Sequence, residues 1–473
     1  MKQASDKNQT DPAITTSKPE RRRILIWGIL CTLCFAVIFA FKPNLMQRLD
    51  YLEYDFLLAK FPNNNASSKL VIVDLDEKSL SRYGQWPWPR YRVAGLLDKV
   101  IAMQPDIISL DIVFAEPDRT SAGPLLKDLG DVYRIKIDLH GLPRSLKDND
   151  QILAQTLAGG PFVLGTIFHF DELKKGSDRC VLHPVKSSYI NDDVNQNAHT
   201  EIPVSTGVLC NLPMLSDKVS SSGFFNFSPD SDGVLRRLPM LIQYHGQLYP
   251  NLALATVLKL KNENHVILKK DRNHLQSIHY RGNAVPVDRH GQMLIKFRSS
   301  AQKYEYVSAA DILDNNVSPE RLRGRIVFVG TSAVGLKELL NTPLGPVFPG
   351  VEVHATAVDN LLKGDFISLP GWSNGFILLL VMVSGLAMSL LISYQKAATG
   401  FVAMLLFAGG LWMTTHQVFF RMGFFVATAF PIASVICNYM FLTALKYRME
   451  EKKNLAHMQE LLLTQDITIE SLA

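Results

Sequence analysis

The two ends of this 473-residue chain are too apolar to rest in water, and that constrains everything between them. The stretch "ILIWGILCTLCFAVIFAF", Ile24 to Phe41, carries no charge, and with its flanks it reaches the roughly 20 residues a helix needs to cross a bilayer. Three more uncharged runs lie near the C-terminus, at Gly375–Ser393, Gly400–Gln417 and Phe424–Leu445. The organisation read from these runs is a polar tail 1–23, a first span 24–42, a large middle 43–371, spans 375–393, 400–417 and 424–445, and a final segment 446–473. A cleaved signal peptide would share the basic-then-apolar opening. The run is long for one, and no small-residue cleavage site lies between Phe41 and Leu49, so we read an uncleaved anchor.

Charge sets the orientation. Arg21, Arg22 and Arg23 precede the first run, Lys396 lies between the second and third, and Lys446, Arg448, Lys452 and Lys453 follow the fourth. Short basic segments stay in the cytoplasm, whereas long domains translocate largely regardless of their charge. Four spans then put both tails in the cytoplasm and residues 43–371 outside, with Arg421 the one dissenting charge. The centres of the last three runs hold no Asp, Glu, Lys or Arg, which argues against a transport path. Gly385 with Ser389, and the pair Gly409–Gly410, suit close helix packing.

The middle alternates strand and helix. "LVIVDLD" reads as a buried strand, "YRVAGLLDKVIAM" carries apolar residues at helical spacing, and "DIISLDIVFA" is a second buried strand. "QILAQTLAG" before "PFVLGTIF" repeats the unit, "RIVFVGTSA" adds a central strand, and "VEVHATAVDNLLKG" reads as a strand end entering a helix with a glycine stop. Between them, Asp-Gly and His-Gly turns suggest hairpins. The fold class expected is α/β with a mixed sheet, joined to four transmembrane helices and a cytoplasmic signalling helix. The net charge of +5 gives no hint of a nucleic-acid partner. Cys180 and Cys210, alone in the middle portion, would either pair in an oxidising compartment or stay free.

The succession "VIVDLDEKSLSRYGQWPWPR", "DIISLDIVFAEPD", "GFFNFSPDSDGVLRRLPM", "YPNLALATV", "VPVDRHGQMLIKF", "LRGRIVFVGTSAVGLKELLNTPLG" and "PGVEVHATAVDNLLKGDF" resembles the second type of CHASE domain, the extracytoplasmic sensor of bacterial membrane receptors. The likeness covers roughly Asp50 to Pro370. It implies a receptor in the inner membrane with a cytoplasmic output module: a nucleotide cyclase, a histidine kinase, a diguanylate cyclase or a phosphodiesterase. The closing "ELLLTQDITIESLA" resembles the helix that leads into HD-GYP domains, which hydrolyse cyclic-di-GMP, and it stops before their metal motifs. We therefore expect no catalytic residue and no cofactor in this chain, whether it is a fragment of a longer receptor or works through partners. The partners expected are an extracytoplasmic small-molecule or stress signal, membrane lipid, a second copy of the chain and a cytoplasmic output domain. Leu455, Met458, Leu462, Gln465, Ile469 and Leu472 fall at heptad spacing, which suits a short parallel coiled coil or an ordinary amphipathic helix.

Several residues are candidates for sensing. In "GQWPWPR", Trp86 and Trp88 offer apolar faces and Arg90 a planar donor fork; the plainer reading is a proline-stiffened fold signature whose tryptophans plug the sheet edge. Asp74, Asp76 and Asp111 stand near carboxyl ends of candidate strands, where ligands of open α/β sheets bind. With Glu352 and His354 they would make an oxygen-rich metal or acid–base site, the basis of an alternative reading as a membrane-anchored periplasmic metal-dependent hydrolase. Otherwise these acids cap helices and pair with Arg90 or Arg92. Arg236 and Arg237 would pair with the strand-end acids or meet an anionic signal. Their loop "FSPDSDGVLRR" lacks calcium-loop spacing and reads as a turn. The resemblance also implies a shared loop around Glu338, Thr342 and Pro343.

Overall fold

The computed structural model describes residues 18–41, 43–60, 66–134, 148–171, 180–191, 201–271, 274–298, 303–333 and 339–472. Two compact units result: one gathers the chain before Asp55 with the chain after Ser368, and the other runs from Asp55 to Ser368. The chain opens with α1 (Lys18–Phe41) and α2 (Asn44–Lys60), within which the unit boundary falls. Then follow β1 (Leu70–Asp74), α3 (Glu77–Tyr83), α4 (Arg90–Ala102), β2 (Ile107–Leu110), α5 (Ala122–Tyr133), α6 (Asn149–Ala158), β3 (Phe162–His169), β4 (Lys186–Asn191), β5 (Gly207–Leu209), α7 (Pro213–Ser216) and β6 (Ser222–Phe224). The second half of this unit contains β7 (Arg237–Pro239), β8 (Leu241–Tyr244), β9 (Gln247–Pro250), α8 (Leu252–Leu260), β10 (His265–Asp271), β11 (His274–Tyr280), β12 (Asn283–Pro286) and β13 (Gln292–Leu294). It ends with β14 (Glu305–Ser308), α9 (Ala309–Leu313), β15 (Ile326–Gly330), β16 (Leu339–Thr342), β17 (Gly345–Pro349) and α10 (Gly350–Lys363). The first unit resumes with α11 (Ser373–Tyr394), α12 (Ala397–Met422) and α13 (Ala429–Leu472).

The main sheet of the Asp55–Ser368 unit has the order β14-β1-β15-β2-β3, with β5 and β6 both pairing β3. All its pairings are parallel except β3 with β5. The sheet is therefore mixed, as the alternating strand and helix blocks predict. Successive strand residues point to opposite faces, so Leu70, Ile72, Ile326 and Phe328 join one core with α8 and α10, while Val71, Val73, Val327 and Val329 join another with α4 and α6. A second sheet, β12-β11-β10-β4, carries the hairpins. Cys180 and Cys210 form a disulfide beside the aromatic cluster of Phe168, Phe224, Tyr244 and Tyr249.

One local expectation is corrected. Residues of "VEVHA" do not end a strand: α10 begins at Gly350, so Glu352 and His354 lie in its first turns. The continuous apolar run has no strand period, because this helix is buried almost all round between the sheet and β-hairpins.

In the other unit, the helices α1, α11 and α12, and α13 as far as Gln465, are each long and apolar enough to cross a membrane. Small residues let three of them approach closely. A side chain at Gly28 would strike Ser389, one at Gly385 would strike Thr32, and Asn438 donates to Thr32 Oγ1 at 3.3 Å and to the Gly385 carbonyl at 3.2 Å. Gly409 and Gly410, which the sequence also suggested for packing, have nothing among the described residues within 4 Å of where a Cβ would stand, and do not serve this contact. The last apolar run, read from Phe424, becomes helical at Ala429, because the buried Glu53 carboxylate caps it there: it accepts from Thr428 N at 2.8 Å, Thr428 Oγ1 at 2.5 Å and Ala429 N at 2.9 Å. From Ala429 the helix runs 44 residues without a break. Replacing Gly385 with Val should push α1 from α11 and lower bundle stability by about 1–3 kcal/mol; a detergent-solubilised melting temperature equal to wild type would contradict this.

Candidate functional site

Each charged candidate has its partners within the Asp55–Ser368 unit. Asp76 is the N-cap of α3, its Oδ1 accepting from Ser79 N at 2.8 Å, Ser79 Oγ at 2.6 Å and Ser308 Oγ at 2.9 Å. Asp74, at the end of β1, accepts from Ser332 N at 2.7 Å and from the Ser332 hydroxyl. Glu352 accepts from Lys303 N and Tyr306 Oη, both at 2.9 Å. Burial first, then the Glu352 charge and more weakly that of Asp74, push the Tyr306 hydroxyl well above the usual phenol range. Asp74 and Glu352 thus share one neighbourhood around Tyr306. Asp111, half-buried after β2, lies near Gly330, which fits between it and Val351.

The tryptophan turn divides. Trp88 is 1% exposed, donates Nε1 to the Gly84 carbonyl at 2.7 Å and packs with Val93 and Leu97 of α4. It presents no face to a ligand. Trp86 is half-buried and meets Trp88 edge-on, with ring centroids 6.0 Å apart. Arg90 does not reach the strand-end acids. It pairs with Asp150 at 3.4 Å, donates to the Glu116 carbonyl at 3.2 Å and lies over the Phe114 ring at 4.6 Å. The reason is helix direction: Arg90 opens α4, where its backbone N also donates to Asp118 Oδ2 at 2.7 Å. Burial alone would raise the Asp118 carboxyl, but donors from Arg90, Thr120 and Asn149 outweigh it and hold the group below its usual value.

Arg236 and Arg237 are likewise corrected: their partners are Asp55 of α2 and the loop acids Asp230, Asp232 and Asp288, not strand-end acids. Arg236, 2% exposed, makes two bonds of 2.7 Å to Asp55, reaches Asp232 at 2.9 and 2.8 Å, and reaches Asp230 at 3.2 Å. Arg237 pairs with Asp288 at 3.2 Å and with Asp230 at 3.6 Å. The loop is a turn, closed by Gly233 N to the Asp230 carbonyl at 2.8 Å. Thr342 lies in the β16–β17 turn, its hydroxyl on the Gly345 carbonyl at 3.2 Å, while Glu338 lies outside the described residues.

His354 is fully buried, with its ring 5.0 Å from that of Phe227. Burial outweighs the nearby backbone of Phe225 and holds the imidazole at about 3, so it is neutral near pH 7. Among the described residues no group of three His, Cys, Asp or Glu could hold a metal ion. The hydrolase alternative gains nothing from the geometry.

What sequence reasoning missed is a cleft of about 920 Å³ within the same unit, lined by His183, Ser220, Ser221, Ser222, Gln243 and Lys259 among others. Those residues come from β6, β8, α8 and the segments entering β4 and β6, and they form no motif. The cleft has the dimensions of a small-molecule pocket.

The chain belongs to the CHASE2 domain family, whose pattern matches residues 30–389. This makes the Asp55–Ser368 unit an extracytoplasmic sensor domain, flanked by helices apolar enough to cross a membrane, an arrangement that fits a sensory receptor. No curated protein and no solved structure matches the chain.

Two outcomes follow. Because the folded His354 pKa lies below its ordinary 6.5, the unfolded chain binds the extra proton, so this group's contribution to stability is complete above about pH 6.5 and lost as pH falls towards 3. Unfolding free energy should drop by up to about 1.4 kcal/mol per pH unit there from this group, and a denaturant series between about pH 6.5 and 4.5 should show a shallower slope in His354→Leu. Arg236→Gln leaves three carboxylates facing one another and should destabilise the unit by about 3–5 kcal/mol; a urea midpoint within error of wild type would refute the hub.

Proposed function

We propose that this protein is a bacterial inner-membrane signal-transduction receptor. Its α1, α11, α12 and α13 cross the bilayer, the CHASE2 domain lies on the periplasmic side, and both chain ends lie in the cytoplasm. The observation that carries this reading is the family match to a sensor domain whose unit is bracketed in sequence by membrane-length apolar helices. The Cys180–Cys210 disulfide agrees with an oxidising compartment for that unit. The basic residues beside the apolar runs support the same sidedness.

The output side rests on α13. Its apolar part continues into a polar segment in one helix, so a shift or rotation at Ala429 is carried rigidly past the membrane. Leu455, Met458 and Leu462 are each more than half exposed in the single chain, in keeping with a dimeric coiled coil; the side chains of Ile469 and Leu472 lie outside the described residues. The resemblance of the final helix to an HD-GYP lead-in makes a cyclic-di-GMP phosphodiesterase the leading output module. Ligand binding must favour one of two receptor states to transmit anything.

Sidedness is the decisive test. In a chain lacking Cys31, Cys34 and Cys437, a cysteine at exposed Asn283 should react with a membrane-impermeant maleimide on intact cells, and one at Lys453 should react only after lysis. The opposite pattern would overturn the receptor reading. Met458→Cys should in addition cross-link two copies under mild oxidation.

A further inference from the structure

The cleft lies between the segment entering β4, the start of β6, the β8–β9 hairpin and the C-terminal half of α8. Its walls are pinned by backbone bonds from Val185 N to the Leu248 carbonyl at 2.9 Å and from Lys186 N to the Asn264 carbonyl at 3.0 Å. The Cys180–Cys210 disulfide anchors the segment that carries His183.

Lys259, in the last turn of α8, is half-buried, and its ammonium donates to the Ser220 hydroxyl. Among the described residues no carboxylate pairs with it. Desolvation accordingly lowers its pKa from the ordinary lysine value. This contrasts with the buried arginines Arg90, Arg236 and Arg298 of the same unit, each of which has an acid at hand. The acid lining the cleft, Glu263, is already engaged: it accepts from Asn264 N at 3.0 Å and His265 N at 3.2 Å, and Arg281 lies 3.7 Å away. Exposed Lys186 adds a second positive charge.

The remaining lining is neutral and hydroxyl-rich. His183 Nδ1 lies 3.1 Å from Ser222 Oγ, and burial, aided by the Lys259 charge, keeps the imidazole below its usual pKa. At neutral pH it presents one donor and one acceptor. Ser221 and Gln243 add groups that both donate and accept. A cation without a counter-ion beside neutral hydrogen-bonding groups fits a ligand with one anionic group and several hydroxyls.

We propose that this cleft is the sensor's ligand site and that it takes a small hydroxylated anion of the sugar-acid or sugar-phosphate class, the charged group meeting Lys259 and the hydroxyls meeting Ser221, Ser222 and Gln243. The proposal rests on the receptor reading only for what binding achieves, not for binding itself. It is tested with the full chain in lipid nanodiscs, titrated calorimetrically with glucuronate, glucose 6-phosphate and neutral glucose. One or both anions should bind, glucose about tenfold or more weakly, and the preference between them identifies the charged group as carboxylate or phosphate. Lys259→Gln should weaken anion binding about tenfold or more. Ser220→Asp, at an exposed position, should supply Lys259 with a carboxylate and abolish anion binding, with the melting temperature unchanged in both variants. Failure of both anions to bind, equal binding of glucose, or wild-type affinity in both variants overturns the proposal. Binding that behaves as stated but leaves cellular output unchanged would instead count against the receptor reading.

Discussion

The strands β1, β15 and β2 are apolar on both faces, and the need to cover both of them organises the whole sensor unit. Parallel strands of this kind survive only between two helical layers. One layer is α4 with α6, the other α8 with α10. Covering the second face buries α10 so deeply that its acids Asp359 and Glu352 find partners inside: Arg298 Nε donates to Asp359 at 2.7 Å, and Glu352 takes Lys303 N and Tyr306; Arg298 Nη1 also reaches Asp365, just beyond the helix, at 2.6 Å. Removing either member of the Arg298–Asp359 pair would leave the other, buried, with only Asp365 or Lys363 to offset its charge, so these groups serve the fold before any ligand.

The same logic reassigns most residues that looked ready to bind something. Arginines and carboxylates at strand ends and in loops attract attention because they are costly to bury, yet the cost is offset here by one another. Arg236 gathers three acids, Arg90 meets Asp150, and Asp76 caps a helix. Lys259 differs from these arginines, with a neutral hydroxyl where Arg236 and Arg90 have carboxylates. Its surroundings are a cleft rather than a core, and for that reason a lysine that drew no notice in the sequence is the better candidate for recognition.

Two acids of α2 hold different parts of the molecule. Glu53 caps the N-terminus of α13 within its unit, and Asp55, two positions on, clamps Arg236 within the sensor unit. A carboxylate at a helix N-terminus satisfies orphan N–H groups and favours the dipole. The start of the long helix is thereby fixed by a residue 375 positions earlier in the chain.

Local patterns determined the apolar helices, the strand–helix alternation and the mixed parallel sheet, because side-chain period and run length report burial residue by residue. The Gly364 stop of α10 was legible as well, and Asp76 takes the capping role that the sequence left open beside a site. The α10 start was not, since a helix buried on all sides has no apolar stripe to betray its period. Only the tertiary structure decided which acid meets which arginine and where the cleft opens. Asp55 and Arg236 lie 181 positions apart, and the cleft is built from residues between Leu182 and Asn264 that no spacing rule connects. Pairing across such distances depends on how layers pack, and a charge in sequence carries no mark of the partner that packing will bring to it.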